Sequence, residues 1–276
     1  VTVTANLAAK KTPAITFSSD SMNKTYGDAA FVFKTSTLLT DGTVTYSSSN
    51  TSIATVDQTG KVTIKGAGKV TITVKTAEGK EYKAGSGSYV LNIAKAANAV
   101  TASNIKKTTA GKAQKVSIGA KTKAAAALTY KSSDTSVKVS SKGVVTIPKS
   151  FVGTSTITIT SKETANYKAA SKQITVTVNP KATTLAKLTN PSKLKIAVSW
   201  KRNSKATGYQ IQYAANSKFS SAKLVTVKKN TTLTTTLSKS VKKGKTYYVR
   251  IRTYKTVGGK DYYSGWSKAL KIKVTK

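Results

Sequence analysis

Two arginines two residues apart, Arg250 and Arg252, stand among tyrosines in the run TYYVRIRTY (residues 246–254), and Trp266 follows in SGWS (264–267). A guanidinium presents five N–H donors in a rigid planar fork and stacks on aromatic faces. These residue types serve binding rather than bond-making. Alternation along a strand points Tyr247, Val249 and Ile251 one way and Tyr248, Arg250, Arg252 and Tyr254 the other. In GYQIQY (208–213) the same rule sends Tyr209, Ile211 and Tyr213 inward and Gln210 and Gln212 outward. In the last run Leu270, Ile272 and Val274 point inward, and Lys271 and Lys273 outward.

The material for covalent chemistry is poor. There is no His and no Cys, and nine acids are spread over 276 residues. Without His, the abundant serines have no usual base to activate them, and no carboxylate pair converges in a recognisable setting. The chain is therefore not expected to be an enzyme, and no cofactor is expected. Asp41 and Asp57 lie near turns, but no dense oxygen-ligand loop surrounds them, so no metal site is expected. Asn23, Asn50 and Asn230 fit the N-x-[ST] pattern and are read as idle surface residues. A Lys–Asn cross-link would need a nearby acid, which the C-terminal region almost entirely lacks.

Charge is the strongest compositional signal. The net charge is +38 and its density rises along the chain. Residues 1–97 carry 11 Lys+Arg against 6 acids, residues 98–180 carry 13 against 2, and residues 181–276 carry 23 against 1. Solubility needs no such gradient, so the last third is expected to meet something anionic. A basic patch is expected from Lys228, Lys229, Lys242, Lys243 and Lys245, all at turns. Lysines at loops and edges also block edge-to-edge aggregation; that accounts for scattered lysines, but not for Asp261 being the only acid in the last 96 residues. No nucleic-acid-binding motif accompanies the charge, so no specific nucleic-acid partner is expected. No apolar run of 18 residues exists, so no membrane span is expected.

The elements that position these residues are strands. Thr and Val, both abundant, are β-branched and favour a pleated backbone. TYSSSNTSIATVDQTGKVTI (45–64) reappears as TYKSSDTSVKVSSKGVVTI (129–147), and the likeness continues through 66–93 and 151–178. Gly68 matches Gly153 and Tyr82 matches Tyr167, each pair 85 residues apart. A period of that length is a whole domain. Val62 and Ile64, then Val70, Ile72 and Val74, alternate inward, which predicts antiparallel sandwiches with glycine turns at 57–61 and 140–143. The opening VTVTAN matches the end of the second copy, so residues 1–5 are read as the end of a preceding repeat or the first strand of this one.

The pattern Y-x-S-S-(N/D)-x-S-(I/V)-x-V, followed by Gly, V-x-I, Gly and T-I-T, resembles the group 2 bacterial immunoglobulin-like domains, over about residues 8–97 and 98–180. From residue 181 the order of KIAVSWK, TGYQIQYA, KLVTVKK, TLTTTLS, GKTYYVRIRTYKT and SGWSKALKIKV resembles a fibronectin type III domain. The resemblances imply an all-β chain: three tandem immunoglobulin-like or fibronectin type III-like β-sandwiches in a semi-extended rod, divided 1–97, 98–180 and 181–276. The first two imply seven strands each. The third implies that Trp200 fills the core, that Tyr247 anchors a corner, and that Trp266 stacks between arginines. It also makes neighbours of the three runs above, so one outer face would carry Gln210, Gln212, Tyr248, Arg250, Arg252, Tyr254, Trp266, Lys271 and Lys273. That face is either a ligand site or a self-satisfied cation–π ladder.

In such families these domains form stalks and adhesive regions of secreted and surface proteins, and the composition fits Gram-positive surfaces. The expected role is an extracellular, monomeric adhesin module with immunoglobulin-like spacers and a basic C-terminal contact domain. Its partner would be a host surface protein or anionic glycan. The alternatives are retention on the producer's own wall through anionic polymers, or binding of a host protein such as an immunoglobulin.

Overall fold

The computed structural model describes residues 9–276, so the reading of residues 1–5 lies outside the described residues. Every regular element among the described residues is a β-strand. The chain divides into two compact units. The first is Val1–Thr101, Lys121–Leu128 and Thr160–Ser171, and the second is Ala102–Ala120, Thr129–Ile159 and Lys172–Lys276.

In the first unit a four-stranded sheet runs in the order Ser21–Thr25, Gly85–Ala94, Gly68–Thr76, Val44–Ser48. A three-stranded sheet holds Phe31–Val32, Lys61–Ile64 and Ala54–Val56, and Ala14–Phe17 pairs with Thr35–Leu39. Residues 14–94 thus form nine strands where seven were expected. Val62, Val70, Ile72 and Val74 are buried as alternation predicts, and Ile64 is partly so; Leu91 and Ile93 join the core around Tyr89. Phe17 meets the Tyr89 ring at 5.2 Å and Phe33 meets it at 4.1 Å. Burial raises the Tyr89 phenol to about 12. The antiparallel expectation needs one correction. Ser21–Thr25 runs parallel to Val90–Ala94, because this short strand closes the sheet along the free edge of the last one.

The repeat is written into contacts as well as letters. Lys11 bridges Tyr82 and Ala96 bridges Tyr167, both in parallel and 85 residues apart. Ion pairs join Lys10 to Glu78 and Lys95 to Glu163 at the same offset. Their side chains are solvent-exposed, where such pairs contribute about 0–1 kcal/mol. Gly68 and Gly153 share a φ of +148° and +146°. Asp41 accepts hydrogen bonds from the backbone N–H groups of Lys80, Glu81 and Tyr82 at 2.7, 2.9 and 3.3 Å. The Glu81 bond above all holds its carboxyl below the ordinary aspartate value. Gly79 has no Cβ, and one built there would lie 1.9 Å from Asp41 Oδ1.

In the second unit Ile105–Thr108 again pairs in parallel with the last strand of its copy, at Val176–Asn179. Val145, Ile147, Ile157, Ile159, Val176 and Val178 are buried. The C-terminal sandwich sets a three-stranded sheet, Leu185–Thr189, Ile196–Trp200, Thr234–Leu237, against a larger one. There Lys223–Val227 pairs with Gly208–Ala214, which pairs with Thr246–Val257. The far side of Thr246–Val257 takes Lys260–Tyr263 near one end and Leu270–Lys273 near the other. Trp200, Tyr209, Ile211, Tyr213, Tyr247, Val249 and Ile251 fill the core. Leu270, expected inward, is 38% exposed. It pairs with Val249 from an edge strand, which has no hydrogen-bonded strand on its other side among the described residues.

Gly143 (φ +71°) turns beneath the Tyr130 ring, and a Cβ there would meet ring carbon Cζ at 2.7 Å. Gly111 has a similar φ of +75° with open space around it. G111A is expected to cost about 1 kcal/mol of backbone strain alone, and G143A about 2–3 kcal/mol because the ring must also move, read as the shift in urea unfolding. Equal costs would mean that the ring yields freely. For Asp41, the carboxylate's stabilisation is complete above its ordinary value of 3.8 and is lost as pH falls through the lower folded value. The thermal midpoint of D41N should therefore lie below wild type at neutral pH, with the gap closing in acid.

Candidate functional site

The larger C-terminal sheet orders its outer face by register. Gln212 lies opposite Arg250 and Gln210 opposite Arg252. Gln212 Oε1 accepts from Arg250 Nε at 2.7 Å. Gln210 Oε1 accepts from Arg252 Nε and Nη2 at 2.9 and 2.6 Å. The guanidinium planes, aimed by these amides, alternate with rings. Arg250 lies 3.9 Å from the Phe219 ring centre and 4.9 Å from that of Trp266. Arg252 lies 4.5 Å from Trp266 and 4.1 Å from Tyr263. The array reads Phe219, Arg250, Trp266, Arg252, Tyr263, with both arginines and Trp266 half-buried. Burial lowers the Arg252 pKa from its usual value, the Tyr263 side chain opposes this, and Arg250 adds to it.

Serine hydroxyls pin Trp266. Ser264 N–H donates to the Thr253 carbonyl at 3.0 Å, and its Oγ accepts from the Thr253 N–H at 3.0 Å. Ser267 does the same for Ile251, at 2.8 and 3.1 Å. Each hydroxyl stands in for a strand carbonyl, so the backbone ladder continues through SGWS and the intervening Trp266 side chain is delivered onto the arginines. Elsewhere the anchors are as expected. Tyr247 Oη donates to Ser240 O at 2.8 Å and accepts from Lys242 N at 2.9 Å. Trp200 is 3% exposed.

The nine expected face residues do not form one open surface. Gln210, Gln212, Arg250, Arg252 and Trp266 meet in the array, but Gln210 is buried beneath Arg252 rather than exposed. Tyr254 is also buried, not an outer plate: its ring lies across Gly208, where a Cβ would stand 2.8 Å from it, and faces Tyr263 at 6.0 Å. Tyr248 is half-buried and pairs with Lys271, and Lys271 and Lys273 are exposed on the edge strand. Asn230 is not idle, since its side chain donates to Ala206 O at 2.8 Å and holds the neighbouring loop. Phe219 and Tyr263 complete the array but were absent from the sequence reading. Phe219 sits in an irregular loop at φ +59°. Tyr263 belongs to a hairpin turned by Gly258 and Gly259, both at positive φ, and Gly-Gly between strand-like runs is a recognised signal for one.

The lysines are disposed differently. Lys228, Lys229, Lys242, Lys243 and Lys245 are all exposed at irregular segments. They form two groups rather than one patch. Lys228 and Lys229 follow Val227, which pairs with Tyr209, whereas Lys245 precedes Thr246, close to the Ala214–Tyr248 pair. These are opposite ends of one strand pair, on the order of 15–20 Å apart. Among the described residues the ion pairs are Lys10–Glu78, Lys11–Glu81 and Lys95–Glu163, all in the first unit. Asp261 accepts from Thr256 Oγ1 at 2.6 Å. Asp57, singled out earlier, caps its own turn through Thr59 and Lys61.

Residues 32–78 match the family described as "Intimin, immunoglobulin-like domain". No curated protein matches the chain. Among solved structures, titin domains A168-A170 are similar at 12% identity and a TM-score of 0.40, covering 96% of this chain and 99% of that one. The chicken CNTN1 FN1-FN3 domains are similar at 13% identity and a TM-score of 0.32, with the same coverage. The fn3 domain of human contactin 1 covers 35% of this chain and 78% of its own at 21% identity and a TM-score of 0.30. Scores of this size leave the fold to be read from its own sheets, which are all-β sandwiches. No helix among the described residues is long and apolar enough to cross a membrane.

R252K is expected to destabilise the chain by about 1–2 kcal/mol, because Lys keeps the charge but loses the planar stack and the two-pronged bond to Gln210. R250K, which gives up a single amide bond, should cost less. The check is chemical denaturation followed by tryptophan emission. A neutral R252K would show that the stack contributes nothing.

Proposed function

We propose that the chain is a non-catalytic, extracellular binding module of a larger bacterial surface or secreted protein, held to anionic polymers by its C-terminal lysines. In this reading residues 1–97 and 98–180 are spacers and residues 181–276 make the contact. The match of residues 32–78 to an intimin immunoglobulin-like domain supports a surface setting of adhesin type.

The observation that carries the reading is the unequal use of cations. Arg250 and Arg252 are already sandwiched by rings and bonded to glutamines, so their capacity is spent inside the fold. Lys228, Lys229, Lys242, Lys243, Lys245, Lys271 and Lys273 are exposed, and the 96-residue segment holds one acid. Exposed point charges without a shaped pocket attract a flexible polyanion over the screening length and hold it by releasing its counterions. The ladder thus favours the structural reading of the Arg face, and a salt-sensitive polymer contact over a salt-tolerant protein contact.

The test is binding to purified Gram-positive walls, with and without their anionic polymers, across a salt series. The proposal expects binding that needs the polymer and falls steeply with salt. Binding that persists in high salt, or that survives removal of the polymer, would overturn it in favour of a shaped partner.

A further inference from the structure

Four lysines far apart in sequence, Lys149, Lys181, Lys205 and Lys255, line one cleft of about 540 Å³ within the second unit. Lys149 comes from the turn before Phe151, Lys181 from the segment after Asn179, Lys205 from the loop after Trp200, and Lys255 from the strand Thr246–Val257. No run of basic sequence announces the group; folding assembles it. No carboxylate lines the cleft, and none of the four lysines is in any ion pair found among the described residues. Four like charges on low-dielectric walls focus a positive potential that only an anion relieves.

The cleft is built on a braced backbone. Lys181 N–H donates to Thr109 Oγ1 at 3.0 Å, and its carbonyl accepts from Asn203 Nδ2 and Thr253 Oγ1, both at 2.7 Å. Asn203 in turn accepts from Lys205 N at 3.0 Å and donates its own N–H to Tyr209 Oη at 2.9 Å. The loop that carries Lys205 is therefore tied to the sandwich core, and little ordering remains for a ligand to impose. Val152 and Pro180 supply an apolar wall, and Ser150 and Ser204 supply hydroxyls. The volume lies in the range of small-ligand sites. No aromatic ring lines the cleft, which argues against stacked bases. Lysine binds phosphate-type oxyanions as a point charge.

We infer that this cleft seats one oxyanion-bearing unit, phosphate or sulfate, of a hydroxylated polymer such as a polyol phosphate or a sulfated glycan. The inference rests on the polyanion reading above and gives it a defined site. The hydroxyls and Asn203 would meet the polymer's own hydroxyls, and the exposed lysines outside would hold the flanking charges.

The experiment uses the full chain and two charge-matched variants, K149A/K205A in the cleft and K228A/K229A outside it. Each is titrated by fluorescence anisotropy with a glycerol-phosphate hexamer and with a sulfated hexasaccharide at moderate salt. The cleft variant should lose tenfold or more in affinity for at least one probe, and the outer variant less than threefold. K255Q, a single change on a strand, should reproduce the loss if the double variant folds poorly. The probe that shows the larger cleft effect identifies the source of the oxyanion. Equal losses in the two double variants would overturn the cleft while leaving the polyanion reading intact. Failure of both probes to bind the wild-type chain would overturn both.

Discussion

With one carboxylate among its last 96 residues, the C-terminal sandwich has to settle two half-buried guanidinium groups on a sheet face without an anion. It does so with ring faces and amide oxygens. Phe219, Trp266 and Tyr263 supply the negative faces, and Gln210 and Gln212 supply the acceptors. Much of the local architecture follows from that constraint. Ser264 and Ser267 hold the backbone so that Trp266 reaches between the arginines. The Gly258–Gly259 hairpin delivers Tyr263, and Gly208 leaves room for Tyr254 behind it. A sheet finished this way is covered on its outer side as well as its inner one.

The two copies upstream solve a simpler problem. Their acids work in fixed places: Asp41 on three backbone N–H groups, Asp57 on its own turn, Glu78 and Glu163 on equivalent lysines. The same bridge, the same ion pair and the same strained glycine recur one period apart, so repetition at this distance preserves geometry even where letters have changed. Charge density rises as these structural acids disappear. Among the described residues no lysine of the last third is in an ion pair, which is why function is sought there.

Whatever depends on local period was legible in the sequence. Alternation located the core of each sandwich, with Val70, Ile72, Ile211 and Val249 as clear instances, and Gly60 and Gly143 marked turns by the residue type that positive φ demands. Trp200 and Tyr247 took the places that the fibronectin resemblance implied. What depended on long-range meetings was not legible. Arg252 meets Gln210, 42 positions away, and alternation can say that both face outward but not that one buries the other. Phe219 has no period to read, being held in a loop. The parallel closing strands escaped because a strand of four or five residues carries no sign of its direction, and the four-lysine cleft escaped because its members share no segment. Leu270 shows the opposite error: the pattern is right, yet an edge strand leaves its inward residue half-uncovered.

In the proposed function the cations divide by type, arginine for the fold and lysine for contact, and one chemical treatment separates them. Full acetylation with a lysine-selective reagent removes the lysine charges and leaves the guanidiniums untouched. Wall-polymer binding would be measured on acetylated chain whose near-ultraviolet circular dichroism still shows the native tryptophan and tyrosine environment. An intact signal and no binding are expected. Binding that survives acetylation would place the contact on the arginine face and contradict the division of labour argued above.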